Sequence, residues 1–317
     1  MYENSIVKDI ENVQTIYITG HTNPDGDCIG STFAFAQIMA KLGKTPVILL
    51  EDYAKKFNIL KGSEYIYNGD YDQLSPDVMF AIDCGDIDRL GNAKNVYERA
   101  KLTYNIDHHI SNTNYGMVNI VNGNASSACE VVYEIASKFV NIDKDIATAL
   151  YTGLLTDTGC FRHNCTSERT HQIAGKLVSA GVNTPEIHTK ILMEHTFIDA
   201  KIFARAISKM VLANGIAYTF ITAKDMEECN ATSKNLDAVV GYLLNTENAK
   251  VAIFASERDG GVTKLSFRSK ELNVNEVAQL YGGGGHILAA GASVNGNIDD
   301  VLKNAVNEVE KRLAKND

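Results

Sequence analysis

The segment TIYITGHTNPDGDCIGSTFAFAQIMAKLG, residues 15–43, joins an apolar, strand-forming run to a polar loop and then to a helix. The helix is predicted to end at Gly43, since glycine commonly follows the last turn of a helix. Further apolar runs follow at 45–50, 78–82 and 102–106. A strongly periodic helix is predicted over 126–140. This alternation predicts an α/β fold, in which a mostly parallel sheet is flanked by helices.

The last third of the chain predicts a second, smaller α/β domain with a mixed sheet. Its strands are predicted at 215–222, 250–259 and 262–270, and its helices at 235–246, 273–280 and 299–315. We therefore divide the chain into an N-terminal domain (1–185), a linker region (186–200) and a C-terminal domain (201–317). The functional site is expected in the cleft between the two domains.

Composition and charge narrow the class of protein. The 317 residues are 45% apolar and 22% charged, as expected for a folded globular protein. A net charge of −9 argues against a partner such as long duplex nucleic acid, although bound metals could still attract a small anion. Six cysteines without a CxxC pair predict a reduced, cytoplasmic protein, and no signal peptide or membrane span is predicted.

Residues that bind metals recur in four short clusters of the N-terminal half. They are His21, Asp25 and Asp27 in HTNPDGD, Asp83 in AIDCGD, Asp107, His108 and His109 in DHH, and Asp157 in TDTG. The first three clusters follow apolar runs, and the carboxyl ends of strands in open sheets converge on one crevice. Alone, HTNPDGD could equally be a solvated turn, and Asp83, Asp86 and Asp88 could be ordinary strand-ending carboxylates. Jointly, the clusters predict a metal site.

The charge of this set predicts two metal ions. Four carboxylates and two neutral imidazoles carry −4, which two divalent cations would balance. One bridging carboxylate would hold the ions about 3.5–4 Å apart. Oxygen-rich ligands with histidine suit Mn²⁺, with Mg²⁺ or Co²⁺ as alternatives, better than a cysteine-rich structural Zn²⁺ site. A hydroxide bridging the ions would be placed for in-line attack on phosphorus.

A second signature is YGGGGHILAAGA at 281–292. The amides of Gly283, Gly284 and Gly285 could form an anion-binding nest, and His286 is predicted to start a helix whose N-terminus favours phosphate. The alternative is a flexible loop before a helix. Arg268, in SFRSK, is predicted to bind phosphate in a forked geometry. Arg162 is either a phosphate contact or an ordinary surface arginine.

The four N-terminal motifs, intact and in order, resemble those of the DHH phosphoesterase superfamily. That superfamily includes RecJ-type exonucleases, family II inorganic pyrophosphatases and nanoRNases. The resemblance implies one metal bound by His21, Asp25 and Asp83, and a second bound by Asp27, Asp83, His108 and Asp157. It implies that Asp83 bridges the metals and that His109 is a catalytic residue, acting as phosphate contact or proton donor. Asp107 would orient the histidines from behind.

The FRSK and GGGGHxxAAG segments resemble the DHH-associated C-terminal domain. The resemblance implies that Arg268, Ser269 and the segment 283–286 recognise the phosphate and sugar of a substrate. Together with the chain length, it points to the nanoRNases, which degrade very short oligoribonucleotides. Many of these also convert 3'-phosphoadenosine 5'-phosphate to AMP. The expected partners are therefore short RNA oligonucleotides and nucleotide phosphates, and a homodimer is left open.

Two competing hypotheses remain at the level of sequence. One is a small-molecule phosphatase or pyrophosphatase without activity on oligonucleotides. The other is a catalytically weak, nucleotide-binding regulator, against which the intact ligand set argues.

Overall fold

The chain folds into two compact units, Met1–Glu194 and His195–Asp317. The structure is a computed structural model that describes residues 2–316 and, for side chains, residues 6–314. No helix within the described part of the chain is both long and apolar enough to span a membrane.

The first unit is a five-stranded sheet with helices. Its strands are β1 (Thr15–Thr19), β2 (Thr45–Leu49), β3 (Val78–Ile82), β4 (Leu102–Asp107) and β5 (Val118–Val121). Its helices are α1 (Tyr2–Asp9), α2 (Gly26–Lys41), α3 (Lys94–Arg99), α4 (Ala128–Ala136), α5 (Lys144–Asp157), α6 (Glu168–Ser179) and α7 (Thr184–Ile187). All strands run parallel, in the order β2-β1-β3-β4-β5, which confirms the predicted parallel sheet.

Both faces of this sheet are covered, and β3 shows it most clearly. Phe80 and Ile82 belong to a hydrophobic core shared with α2, α4 and α5, whereas Met79 and Ala81 pack in a second cluster with α3. A strand buried on both faces requires an uninterrupted apolar run, which is the pattern VMFAI.

The strand order places a crevice at the carboxyl ends of β1 and β3. β1 pairs with β2 on one side and with β3 on the other, so the connections that leave these two strands diverge. The loop 20–25 follows β1, Asp83 follows β3, and His108 and His109 follow β4. Three of the four predicted clusters therefore lie at one edge of the sheet.

The second unit is a six-stranded mixed sheet, as predicted. Its strands are β6 (Val211–Ala213), β7 (Ile216–Ile221), β8 (Val251–Arg258), β9 (Val262–Ser269), β10 (Gly284–His286) and β11 (Ala289–Asn295). Its helices are α8 (Phe197–Ser208), α9 (Ala223–Cys229), α10 (Asp237–Leu244), α11 (Val274–Gln279) and α12 (Ile298–Asn316). The sheet order is β10-β11-β9-β8-β7-β6, and only β7 and β8 pair in parallel.

The prediction that His286 starts a helix is wrong. His286 ends the short strand β10, which pairs antiparallel with β11. The register places His286 opposite Ala289, and Ala289 opposite Arg268 of β9. Alanine and glycine are depleted in strands, so the sequence AAGASVN does not indicate that it forms β11 and pairs with the glycine run.

The predicted linker region, 186–200, is largely helical. It contains a π-helical turn at His188–Met193 and the start of α8 at Phe197. The division between the two units falls inside this range, between Glu194 and His195.

Candidate metal centre

The loop after β1 ends in a capped helix that fixes its acidic residues. Asp25 is the N-cap of α2, and its Oδ1 accepts hydrogen bonds from the amides of Asp27 and Cys28 at 3.0 and 3.1 Å. His21 is buried, and its Nδ1 lies 2.8 Å from the Thr22 carbonyl oxygen. That contact leaves Nε2 directed at the carboxylates of the site, as in metal-binding histidines.

Asp27 is anchored by a helix that is distant in sequence. Its Oδ2 accepts from the amide of Ala128 at 2.6 Å, and its Oδ1 accepts from the amide of Cys129 at 3.0 Å. Both amides belong to the first turn of α4, where unpaired donors and the helix dipole favour a negative charge. The carboxylate is 1% exposed, so these two bonds hold it rigidly.

Asp83 occupies a strained turn at the end of β3. Its φ is +56°, a left-handed conformation that few non-glycine residues adopt. The residue is 2% exposed, and its Oδ1 has no hydrogen-bond partner among the described residues. A buried carboxylate oxygen without a partner is costly, which suggests that its partner is a ligand.

The two histidines of the DHH run both lie near Asp83 Oδ1, His108 Nε2 at 3.5 Å and His109 Nδ1 at 3.8 Å, but their other partners differ. His109 Nδ1 lies 2.7 Å from Oδ1 of Asp107, a fully buried carboxylate whose Oδ2 accepts from Asn112 Nδ2 at 2.5 Å. These contacts lower the pKa of Asp107 against the effect of burial. His108 instead points its Nε2 at three other carboxylates.

Asp157 reaches the site because α5 packs tightly on α2. A Cβ atom on Gly153 of α5 would lie 2.3 Å from Cys129 Sγ and 2.7 Å from Asp27 Oδ1. Only glycine permits that approach. Asp157 is the last residue of α5, one turn further on, where its Oδ2 lies 3.5 Å from His108 Nε2.

The six predicted ligands form two groups that share Asp83. In the first group, His21 Nε2 lies 3.8 Å from Asp25 Oδ1 and 3.6 Å from Asp83 Oδ2. In the second group, His108 Nε2 lies 3.5 Å from Asp83 Oδ1, 3.5 Å from Asp157 Oδ2 and 3.8 Å from Asp27 Oδ2. Each oxygen of Asp83 therefore faces a different group, as expected for a bridging carboxylate.

These separations suit shared cations better than direct hydrogen bonds. Two ligand atoms that each lie about 2.1 Å from the same metal ion are about 3.0–3.5 Å apart at ordinary coordination angles. The nitrogen–oxygen distances in both groups are 3.5–3.8 Å, which is at or slightly above the upper end of that range and longer than normal hydrogen bonds.

The pKa shifts of the site residues also indicate a site for positive charge. Burial and the charge of Asp83 raise the pKa of Asp27 well above its usual value. Burial and the charge of Asp83 raise the pKa of Asp157 to about 6, although the charge of His108 acts to lower it. Burial disfavours the charged imidazole of His108, yet the nearby carboxylates raise its pKa to about 10. Divalent cations would reverse these shifts by keeping the acids ionised and the imidazole neutral.

The structure also brings in residues that the sequence analysis does not predict. Cys28 is fully buried, and its Sγ lies within 4.8 Å of ligand atoms of His21 and Asp83. The α4 amides that bind Asp27 are a second case. The serine before α4 begins an S-x-x-E pattern, a helix-start signal that could have indicated the free amides.

The predicted substrate-binding residues, apart from Arg162, lie in the second unit. Ser269 is 4% exposed, and its hydroxyl oxygen accepts from the amides of Glu271 and Leu272, so it fixes a turn after β9. Arg162 is exposed, and its Nε donates to the Gly159 carbonyl at 2.8 Å. Substrate contacts by both residues stay predictions.

One edge of the second sheet brings His286 and Arg268 onto the same face. Directly paired residues share a face, so His286, Ala289 and Arg268 form one row across β10, β11 and β9. Gly284 and Gly291 lie in the next row, paired with each other. Strands are about 4.8 Å apart, so the His286 and Arg268 backbones lie about 10 Å apart.

Sequence comparison matches both halves of the chain to known domains. The DHH family N-terminal domain matches residues 15–154, and the DHHA1 domain matches residues 213–315. The fold and the carboxylate–histidine centre thus define a phosphoesterase. The chain carries a DHH family N-terminal domain followed by a DHHA1 domain.

Similar proteins span nearly the whole chain. The bifunctional oligoribonuclease and PAP phosphatase NrnA of Thermus thermophilus is 27% identical over 314 residues, covering 98% of this chain and 93% of that protein. An exopolyphosphatase-related protein from Bacteroides fragilis has a similar structure, with a TM-score of 0.86, 22% identity and coverage of 99% and 97%. The exonuclease RecJ bound to manganese shares the fold at a TM-score of 0.55, with 12% identity and coverage of 98% and 93%.

Proposed function

We propose that this protein hydrolyses short oligoribonucleotides to mononucleotides, and that it also converts 3'-phosphoadenosine 5'-phosphate to AMP. The observation that carries the chemistry is Asp83, whose two oxygens face two separate groups of ligands. The substrate class is supported by the NrnA relative, whose name states both activities and which aligns over both domains.

We propose that the two ligand groups hold two divalent ions. His21, Asp25 and Asp83 would hold one, and Asp27, Asp83, His108 and Asp157 would hold the other. The bound ions would supply a water activated at neutral pH and positive charge for the phosphoryl group. Mn²⁺ is our first choice because carboxylates and imidazoles together suit it, and the RecJ neighbour of the same fold binds manganese.

The remaining residues of the centre act on the substrate or orient the groups that do. Asp107 accepts from His109 and fixes the ring, so that the other ring nitrogen is available to the substrate. In the second unit, Arg268 and His286 lie in one row and would bind phosphate between them. We thus assign hydrolysis to the first unit and substrate recognition to the second.

The direct test is a comparison of substrates with Mn²⁺-loaded protein. We expect turnover of a dinucleotide and of 3'-phosphoadenosine 5'-phosphate. A time course on a 5'-labelled RNA trimer would report the direction of attack. Hydrolysis of pyrophosphate with neither nucleotide turned over would reject this function in favour of a pyrophosphatase. Nucleotide binding without turnover of any substrate would favour a regulator.

The glycine run offers a test of the substrate-binding face. Gly282 and Gly285 have φ of +71° and +152°, and a Cβ on Gly283 would lie 2.1 Å from the Gly291 carbonyl oxygen, so the fold requires all three. A Cβ on Gly284 would meet its nearest atom at 3.6 Å, and its φ is not positive. The fold therefore does not require glycine at 284, which suggests that a ligand approaches the backbone there.

We expect Gly284→Ala to fold normally and to raise KM for the dinucleotide by about tenfold, because about 1.4 kcal/mol of steric cost corresponds to that factor. Steady-state kinetics and thermal melts would measure both effects. Gly241→Ala is the matched control, since a Cβ there on α10 meets nothing within 4 Å. An unchanged KM in Gly284→Ala would remove Gly284 from the binding face.

A further inference from the structure

A buried amide lies beside the metal centre without belonging to it. Asn105 is fully buried in the middle of β4, where its neighbours Tyr104 and Ile106 are also buried. An amide in such a place is destabilising unless its donors and acceptor are satisfied. The partners of Asn105 therefore show what it is used for.

One side of Asn105 holds the turn that presents Asp83. Its Nδ2 donates to the Cys84 carbonyl oxygen at 3.1 Å, and the Tyr115 hydroxyl donates to the same oxygen at 3.0 Å. Cys84 directly follows Asp83, whose left-handed backbone and unpaired Oδ1 both oppose the native turn. These two donors, with a third and longer contact from Asn112 Nδ2 at 3.5 Å, fix the turn against that cost.

The other side of Asn105 leads to His109. Its Oδ1 accepts from Asn112 Nδ2 at 2.7 Å, and the same Asn112 nitrogen donates to Asp107 Oδ2 at 2.5 Å. The opposite oxygen of Asp107 holds His109. A continuous chain of hydrogen bonds therefore runs from the Cys84 carbonyl, through Asn105, to the histidine on the substrate side.

We infer that Asn105 is a positioning residue that couples the placement of Asp83 to that of His109. Its donor arm, shared with Tyr115, sets the carboxylate on which both ligand groups depend. Its acceptor arm, through Asn112, sets the ring that meets the substrate. This inference rests on the proposed function only for the reaction at the metal centre. The positions of Asp83 and His109 follow from the hydrogen bonds described above.

The two arms can be separated by substitution. Tyr115→Phe removes one donor to the Cys84 carbonyl and should weaken Mn²⁺ binding by about tenfold with little change in KM. Asn112→Ala breaks the arm to Asp107 and should lower kcat by about tenfold. Mn²⁺ affinity should stay the same, because the two hydrogens of Asn112 Nδ2 are used by its shorter bonds to Asn105 and Asp107, and its contact with the Cys84 carbonyl is long, at 3.5 Å. Asn105→Leu, similar in size but without polar atoms, should show both effects.

Mn²⁺ affinity would be measured by electron paramagnetic resonance of the free ion, and kcat and KM on a dinucleotide. Asn119→Ala is the matched control, because this asparagine of β5 bonds only to the backbone of Gly116 in the contacts described. A combined Asn112→Ala and His109→Ala variant should be no slower than His109→Ala alone, since Asn112 acts through His109. A merely structural role would predict additive losses.

The inference is overturned if folded Asn105→Leu keeps Mn²⁺ affinity and kcat within twofold of the unaltered protein. If Asn105→Leu does not fold, Tyr115→Phe and Asn112→Ala decide alone, and equal effects of both on both readouts would overturn the separation of arms. Failure of the proposed function is distinguishable, because the unaltered protein would then bind Mn²⁺ without cleaving a dinucleotide.

Discussion

Replacing Asp83 with asparagine should abolish turnover and, at the same time, raise the melting temperature of the metal-free protein. The carboxylate is buried with one oxygen unpaired, and its charge raises the pKa of Asp27 and Asp157. Asparagine tolerates the same left-handed backbone and removes the charge. The expected gain in the free energy of unfolding is about 1–3 kcal/mol, because the amide nitrogen of asparagine can donate where the carboxylate oxygen has no partner. We expect this gain and the loss of repulsion from Asp27 and Asp157 to exceed the lost attraction to His108.

The loss of activity should be at least about a thousandfold, because a metal ion supplies several kcal/mol of transition-state stabilisation. Thermal melts with and without Mn²⁺ separate the two effects. Mn²⁺ should stabilise the unaltered protein and leave Asp83→Asn unchanged. A variant that keeps its turnover, or that melts lower than the unaltered protein without metal, would refute the bridging role.

Asp86→Asn is the control for this experiment. Asp86 stands three residues further on, and its Oδ1 caps a short 3-10 helix by accepting from the Asp88 amide at 2.8 Å. Asp88 in turn pairs with Lys94 on the surface. Asparagine is an equally good cap, so both stability and turnover should be preserved. The sequence alone left the roles of these two carboxylates open.

Much of the fold could be predicted because burial leaves a direct mark on the sequence. A parallel strand covered on both faces must be apolar throughout, as in VMFAI of β3, and such runs are easily recognised. The edge strands β5 and β10 are short and mostly not buried, so their sequences do not show an apolar run. For this reason a helix was wrongly predicted to start at His286.

The centre was predictable only where sequence position implies spatial position. Strand ends in a parallel sheet converge, which is why His21, Asp83 and His108 could be grouped from the sequence. The S-x-x-E pattern marks the start of α4, but it does not show that the α4 amides meet Asp27, which is more than a hundred residues away. Asn105 is similar, because its role follows from partners on two other segments, the turn after β3 and the loop between β4 and β5.

Replacing His109 with alanine should lower kcat for a dinucleotide by about 10²–10⁴-fold, the usual contribution of a general acid. The hydrogen bond to Asp107 raises the pKa of His109, which favours the protonated ring that could give a proton to the leaving oxygen. Mn²⁺ affinity should change little, because His109 Nδ1 pairs with Asp107 Oδ1 at 2.7 Å and lies farther, at 3.8 Å, from Asp83 Oδ1. Electron paramagnetic resonance would check that independence.

The leaving group decides between the two roles that His109 could have. A nitrophenyl ester of a nucleotide releases a stable anion that needs no proton. If His109 is the proton donor, His109→Ala should therefore lose far less activity on that ester than on the dinucleotide. If His109 only contacts phosphate, both substrates should lose activity equally, because both present the same phosphoryl oxygens. Asp107→Asn should show the same dependence on leaving group with a smaller loss, since the ring would keep its place in part but lose the partner that holds its proton.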